Sequence, residues 1–271
     1  MPLCNIFYMP AFPKGASIIV PTFREAANIT GLVERVFSAT SKAGVEAELI
    51  IVDDDSNDGT AELADSLSRE HAVRLIVRRN ERGLASAVLA GFAEAKFDCL
   101  VVLDADMQHP PERIPELLRK LVEEGHDFVI GTRYGAGGAI EGRWPALRRA
   151  GSRLATWLAR PLAPLSDPMS GFFAIRRECW HRARGLDPLG YKIGLELYVK
   201  SGCARPGEVP IRFAARTAGK SKLGPRPVVE YLRHLRKLYR FRFPRGAWAV
   251  QGMLLGVLVW GALVCWRHLR G

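Results

Sequence analysis

Cysteine is scarce in this 271-residue chain. Its five cysteines, Cys4, Cys99, Cys179, Cys203 and Cys265, are scattered without a CxxC or any other metal-ligand spacing. An odd, dispersed set excludes a disulfide framework or a zinc ribbon and points to buried thiols in a reducing compartment. No GxGxxG follows the first apolar strand; Pro21-Thr22-Phe23 stands there, which argues against a dehydrogenase. The first fifteen residues lack the basic start of a secretory signal and carry Pro2, Pro10 and Pro13, so the catalytic part is expected in the cytoplasm. Acidic residues are outnumbered, 28 against 39 Lys and Arg, for a net charge of +11. That balance implies an anionic partner: nucleic acid, a lipid surface or a phosphorylated substrate. No nucleic-acid motif accompanies it, and the basic residues lie beside Trp and Leu stripes, so no nucleic-acid partner is expected.

Long hydrophobic runs are confined to one place. Ala247 to Trp266 has Gln251 as its only strongly polar member, with Arg242 and Arg245 before it and Arg267, His268 and Arg270 after it. A span of ~20 apolar residues crosses a bilayer core. The expectation is a single-pass membrane protein with a C-terminal transmembrane helix and its catalytic domain on the cytoplasmic face; the flanking charge gives only a weak orientation signal. Two upstream stretches are basic and amphipathic: Arg143 to Leu165 mixes Arg with Trp and Leu, and in Val228 to Phe243 an apolar stripe of Val228, Leu232, Leu235 and Tyr239 recurs at helical spacing among Arg and Lys. They suit a membrane interface, or packing helices with a solvated basic face.

Between Ser17 and about Thr132, short apolar strands alternate with amphipathic helices. Strands are predicted at Ser17–Val20, Glu48–Asp53, Val73–Val77, Cys99–Leu103 and Phe128–Gly131. Helices are predicted at Glu25–Ala39, Thr60–Glu70, Leu84–Ala95 and Ile114–Glu123. The rhythm implies an α/β fold with a mostly parallel sheet, helices on both faces and a ligand beyond the carboxyl ends of the strands. Two of those ends are acidic: Asp53-Asp54-Asp55, and Asp104-Ala105-Asp106 with Gln108. A single Asp after a strand reads as a turn or cap residue, as Asp58 does in Ser56-Asn57-Asp58-Gly59-Thr60. Paired carboxylates leaving a buried strand are costly unless a cation neutralises them. Clustered oxygen ligands suit Mg²⁺ or Mn²⁺ shared with substrate phosphates. Acidic tips on neighbouring strands would make a nucleotide-and-metal pocket.

Taken together, these blocks, with Asn80-Glu81-Arg82-Gly83-Leu84, Gly131-Thr132-Arg133-Tyr134, Ser166 to Phe172 and Arg216 to Leu223, resemble family 2 glycosyltransferases with the GT-A fold. The nearest resemblance is to the polyprenyl-phosphate mannosyltransferase type, and it extends from Ser17 to about Phe243. It implies a glycosyltransferase domain over 1–243, with a nucleotide-binding half at 15–132 and an acceptor and interfacial half at 133–243, followed by an anchor at 244–271. It implies transfer of a hexose, mannose above all, from a nucleotide sugar such as GDP-mannose to a polyprenyl monophosphate with inversion.

In this resemblance Pro21, Glu25, Val52 and Asp54 hold the nucleoside, and Asp104, Ala105 and Asp106 form the sugar-nucleotide site. Asp106 and Gln108 are the metal ligands. Arg133, Arg216 and Lys222 close on the phosphates, and Asp104, Asp106 and Arg133 are the catalytic set. Arg148 and Ser152, four apart on one helical face, match the acceptor-phosphate positions, although such an Arg equally suits lipid headgroups. Phe23 departs from the Tyr common in the family. A lipid phosphate is already ionised and needs no general base. None stands out, and His109, followed by Pro110, reads as a loop residue. Alternatives are a UDP-sugar donor and, from a different class, a Mg²⁺-binding phosphoacceptor signalling domain.

Overall fold

The computed structural model describes residues 13–142, 146–187, 192–214 and 225–244. The chain divides into two compact units, 1–220 and 221–271. In the first, β1 (Gly15–Thr22), β2 (Glu46–Asp53), β3 (Val73–Val77), β4 (Cys99–Val102) and β5 (Phe128–Thr132) fall where the apolar runs predict strands. The helices between them are α1 (Ala26–Lys42), α2 (Thr60–Leu67), α3 (Leu84–Glu94) and α4 (Ile114–Val122). Beyond β5 come β6 (Ala139–Ile140), α5 (Ala146–Ala159), β7 (Phe173–Arg176), α6 (Arg177–Arg182), α7 (Ile193–Lys200), β8 (Pro206–Pro210) and β9 (Arg212–Phe213).

Seven strands form one sheet in the order β3-β2-β1-β4-β7-β5-β8, while β6 and β9 pair separately. β1 runs parallel to both β2 and β4, with Thr22 opposite Asp53 and Ile19 opposite Val102. β7 is antiparallel to both neighbours, with Ala174 opposite Val101 on one side and Val129 on the other.

β1 is buried along its whole length, and alternate residues face opposite sides as a strand requires. Ile18, Val20, Leu49, Ile51 and Val101 join a core with Ile29, Leu32 and Val36 of α1 and Leu117, Leu118 and Leu121 of α4. Ile19 and Val52 face the other way, onto α3 at Gly91. Helices therefore cover both faces, and only the strand ends are left for chemistry.

The chain leaves β1 for β2 and β3 on one side and returns to β4 on the other, so the strand order, though not the strand direction, reverses between β1 and β4. Such a switch point opens a crevice at the carboxyl edge. This corrects the expectation of neighbouring acidic strands. The Asp53–Asp55 and Asp104–Asp106 tips flank β1, two strand spacings or roughly 10 Å apart, with Pro21 and Thr22 between them.

In the second unit, α8 (Pro225–Arg242) covers the predicted basic amphipathic stretch. It buries Tyr231, Leu232, Leu235, Leu238 and Tyr239, but Val228, expected on the apolar stripe, is exposed with Val229, Phe241 and Phe243. The Ala247–Trp266 run lies outside the described residues. Among the described residues, no helix is long and apolar enough to cross a membrane.

Candidate active site

Three loops leave the carboxyl edge of the sheet, after β1, β2 and β4. All three hold non-glycine residues in the left-handed region: Arg24, Asp55 and Asn57, and Met107. Side-chain hydrogen bonds stabilise these turns. Asp53 accepts from the Ser56 amide at 2.8 Å, and Ser56 Oγ accepts from the Arg24 amide at 2.8 Å, tying the β2 loop to the β1 loop. Asp58 accepts from Thr60 Oγ1 at 2.6 Å and from the Ala26 amide at 3.1 Å. It thus shapes the turn into α2, whose N-cap is Gly59, and ties that turn to the start of α1: the turn role, not the cap, of the two its context allows.

Asp54 is nearly covered, at 7% exposure. Its Oδ1 accepts from Arg78 Nε at 2.8 Å and also from Nη2, and its Oδ2 accepts from the Gly83 amide at 2.7 Å. Val52 is fully buried, and Pro21 is paired opposite it in the sheet. Glu25 precedes α1 and accepts from Asn28 Nδ2 at 2.7 Å. The Phe23 ring lies in the same lip, with the Arg24 and Arg82 guanidinium carbons 5.2 and 5.5 Å from its centroid.

On the other side of β1, Asp106 is 6% exposed and its Oδ1 accepts from the Gln108 amide at 3.2 Å. Gln108 Nε2 donates to the Ala214 carbonyl at 2.9 Å, and the Ala214 amide donates back to the Gln108 carbonyl at 3.0 Å. This pairing fixes the amide, directing Oε1 away from Ala214. Asp104 lies under Gly171, where a Cβ would come within 3.3 Å of its Oδ2; any side chain there would crowd the carboxylate. The Asp104 amide donates to His109 Nδ1 at 3.1 Å, so the proton of the neutral ring is on Nε2. Burial pushes His109 down to about 4, against the pull of the Asp106 carboxylate. Stacked on Phe172 at 5.4 Å, His109 is a buried neutral support and not a base near neutrality.

Arg133, expected to close on phosphate, spends a fork of donors on the fully buried Asp167. Nε and Nη2 donate to its two oxygens at 2.7 and 2.9 Å. Burial works to lower the Arg133 pKa, but the Asp167 bonds outweigh it and hold the guanidinium charged. Phe213 packs 5.2 Å from its carbon. Lys192 donates to the Met169 carbonyl at 2.7 Å. Burial and then Arg133 push Lys192 down to about 8, while Asp167 and Asp104 act in the opposite sense.

Tyr134 OH and Ser152 Oγ are 2.8 Å apart, which brings α5 to the residue beside Arg133 and gives Arg148, one turn earlier, the same side of the helix. Arg216 and Lys222 lie outside the described residues, although Ala214, two residues before Arg216, is fixed to Gln108. Reading the sequence did not single out Arg78, Asp167 or Lys192. Asp167 stands within the Ser166–Phe172 block, and Arg78 directly follows the apolar Leu75-Ile76-Val77 run; those are the signals the sequence offers.

The sequence profile described as "Glycosyl transferase family 2" matches residues 17–182. The chain belongs to that family. A dolichol-phosphate mannosyltransferase of Saccharomyces cerevisiae is 43% identical over 263 residues, covering 93% of this chain and 96% of the relative. One from Mycosarcoma maydis is 46% identical, covering 93% and 87%. Among solved structures, mannosyl-3-phosphoglycerate synthase from Rubrobacter xylanophilus superposes with a TM-score of 0.64 at 21% identity, over 86% of this chain and 75% of that one. Glucosyl-3-phosphoglycerate synthase from Mycobacterium tuberculosis, in complex with Mn²⁺, UDP and glucosyl-3-phosphoglycerate, gives 0.60 at 22%, over 84% and 80%. These likenesses establish a GT-A-like α/β fold for this glycosyltransferase and dispose of the phosphoacceptor signalling alternative.

Proposed function

We propose that this family 2 enzyme transfers mannose from GDP-mannose to a polyprenyl monophosphate at a membrane surface. The observation that carries the reading is 43% identity, over nearly the full length of both chains, to a dolichol-phosphate mannosyltransferase, with Asp54 and the Asp104–Gln108 group gathered on one sheet edge. The same identity favours mannose over a UDP-linked hexose.

The residues fit a divalent cation. Asp106 and Gln108 offer hard oxygen donors, too few for a complete cage, as expected where nucleotide phosphates supply the rest. Mg²⁺ or Mn²⁺ bound there supplies charge neutralisation for the departing nucleoside diphosphate.

Asp54 and the β1 lip hold the nucleoside, and Asp104 faces the sugar. The acceptor phosphate, with a second pKa near ~6, is ionised at neutral pH and attacks the anomeric carbon directly. One phosphate oxygen–carbon bond forms as the bond to the diphosphate breaks, on the opposite face, so configuration inverts. This chemistry needs no general base, consistent with a neutral His109 whose Nδ1 already accepts a hydrogen bond. Arg133, locked on Asp167, has its guanidinium carbon 5.4 Å from the centroid of the Tyr134 ring, whose hydroxyl lies 2.8 Å from Ser152 Oγ, one of the acceptor positions.

Membrane attachment is assigned to 244–271 as anchor, with α5 in the interface. Trp157 is 55% exposed, beside exposed Leu154 and close in sequence to Arg149, Arg153 and Arg160. Asp106→Asn should lower mannose transfer to polyprenyl phosphate by roughly a thousandfold while leaving the thermal midpoint within a few degrees. Full activity in that variant would overturn the metal assignment.

A further inference from the structure

The nucleoside end of the crevice is held together by one buried arginine. Arg78 stands directly after β3, with its side chain 6% exposed. Its Nε and Nη2 both donate to Asp54 Oδ1, Nη2 also donates to the Gly83 carbonyl at 2.9 Å, and Nη1 donates to Ser86 Oγ at 2.8 Å. Ser86 Oγ donates in turn to the same Gly83 carbonyl at 3.0 Å. The Gly83 amide completes the circuit on Asp54 Oδ2 at 2.7 Å. Gly83 has φ +132°, a conformation open in practice only to glycine, and this lets one residue present both its amide and its carbonyl to the knot. The ends of β2 and β3 and the start of α3 are thereby fastened to one carboxylate.

An ionised carboxylate has about four acceptor sites. Among the described residues, Arg78 fills two on Oδ1 and Gly83 one on Oδ2, which leaves Asp54 a single site, on Oδ2. We infer that Arg78 is a positioning residue for base recognition: it fixes Asp54 so that this remaining site accepts one imino N–H. The inference rests on the reading of Asp54 as a nucleoside contact. Guanine N1–H and uracil N3–H meet that requirement. Adenine N1 and cytosine N3 are themselves acceptors and would set a lone pair against the carboxylate. The pocket is thus built to separate guanine and uracil from adenine and cytosine, and Arg78 acts only through Asp54.

The test is calorimetric binding of GDP, UDP, ADP and CDP, each with Mn²⁺, to the full chain and to the Arg78→Gln, Arg78→Lys and Asp54→Asn variants. The wild type should bind GDP or UDP about tenfold or more tightly than ADP and CDP, the scale of a charged hydrogen bond replaced by a repulsive contact. Arg78→Gln should collapse that ratio to within about threefold. Arg78→Lys, which keeps the charge without the fork, should give an intermediate ratio and decides the matter if the Gln variant fails to fold. A purely structural role would lower the melting temperature and leave the ratio untouched. A wild-type ratio retained in folded Arg78 variants overturns the inference. Equal wild-type binding of all four nucleotides overturns it together with the Asp54 assignment. Lipid mannosylation, measured separately, tests the proposed function and leaves both of these outcomes unaffected.

Discussion

At the residue scale, charge pairing accounts for most of what the site does before any substrate arrives. Asp167 is fully buried, and its strongest partner among the described residues is Arg133. Replacing it with Ala strands a guanidinium that is itself mostly covered. Asp167→Ala should therefore cost about 3–5 kcal/mol of stability and depress turnover, as read by denaturant melts and by mannose transfer at a temperature where the variant remains folded. Unchanged stability would mean that Arg133 is solvated by other means.

Lys192 makes a second prediction, with a definite sign. Its proton leaves the folded protein at about 8, whereas the unfolded chain keeps it to 10.5. Between those values the unfolded state binds more protons, so folding gains stability as pH rises; below about 8 the full cost of holding the half-buried ammonium charged is present. Relative to Lys192→Met, the wild type should gain up to about 3 kcal/mol between pH 8 and 10.5. A flat difference across that window would show that Lys192 titrates normally.

These residues also mark where reading the sequence stops. The position of the Asp104–Gln108 group at a strand end was legible because the apolar Cys99–Leu103 run stops directly before it. Arg78 and Asp167 were not, because their partners are 24 and 34 positions away in sequence and an isolated charge in a loop looks like any solvated one.

At the scale of elements, the first five strands and four helices followed the predicted boundaries to within a few residues, since each apolar run is bounded by polar turns. β7 and β8 were missed for physical reasons. Phe173–Arg176 is four residues long and ends in arginine, and Pro206–Pro210 begins and ends in proline, which marks an edge strand rather than a central one. β8 is indeed the sheet's edge. β7 enters antiparallel between β4 and β5, something local patterning cannot reveal, because strand order is set by long-range pairing.

α5 is the element with a testable surface. Its exposed Trp157 and Leu154, beside arginines, should contribute to lipid binding. Trp157→Glu should weaken association with anionic vesicles about tenfold, the scale expected for one large apolar side chain leaving the lipid. Cosedimentation would read the change, ideally in protein lacking Ala247–Gly271 so that α5 is tested without the proposed anchor. Equal binding by both proteins would remove α5 from the interface.

At the scale of the whole molecule, the fold explains why chemistry gathers where it does. Helices bury both faces of the sheet, and the strand order reverses between β1 and β4, the kind of switch point at which such sheets bind ligands, here flanked by two acidic strand ends. The proposed nucleoside contacts lie on the β2 side. The Asp104–Gln108 group lies on the β4 side, and the Arg133–Asp167 pair and α5 extend that side toward the proposed acceptor positions. A chain of net charge +11 with an exposed Trp–Leu–Arg helix suits an anionic lipid substrate better than a soluble neutral one.

The most direct test is transfer of label from radiolabelled GDP-mannose, GDP-glucose, UDP-glucose and UDP-N-acetylglucosamine into polyprenyl phosphate, with Mg²⁺ or Mn²⁺ and with EDTA. Metal-dependent transfer from GDP-mannose alone is the predicted result. Lipid labelling from a UDP-sugar and none from GDP-mannose would contradict it.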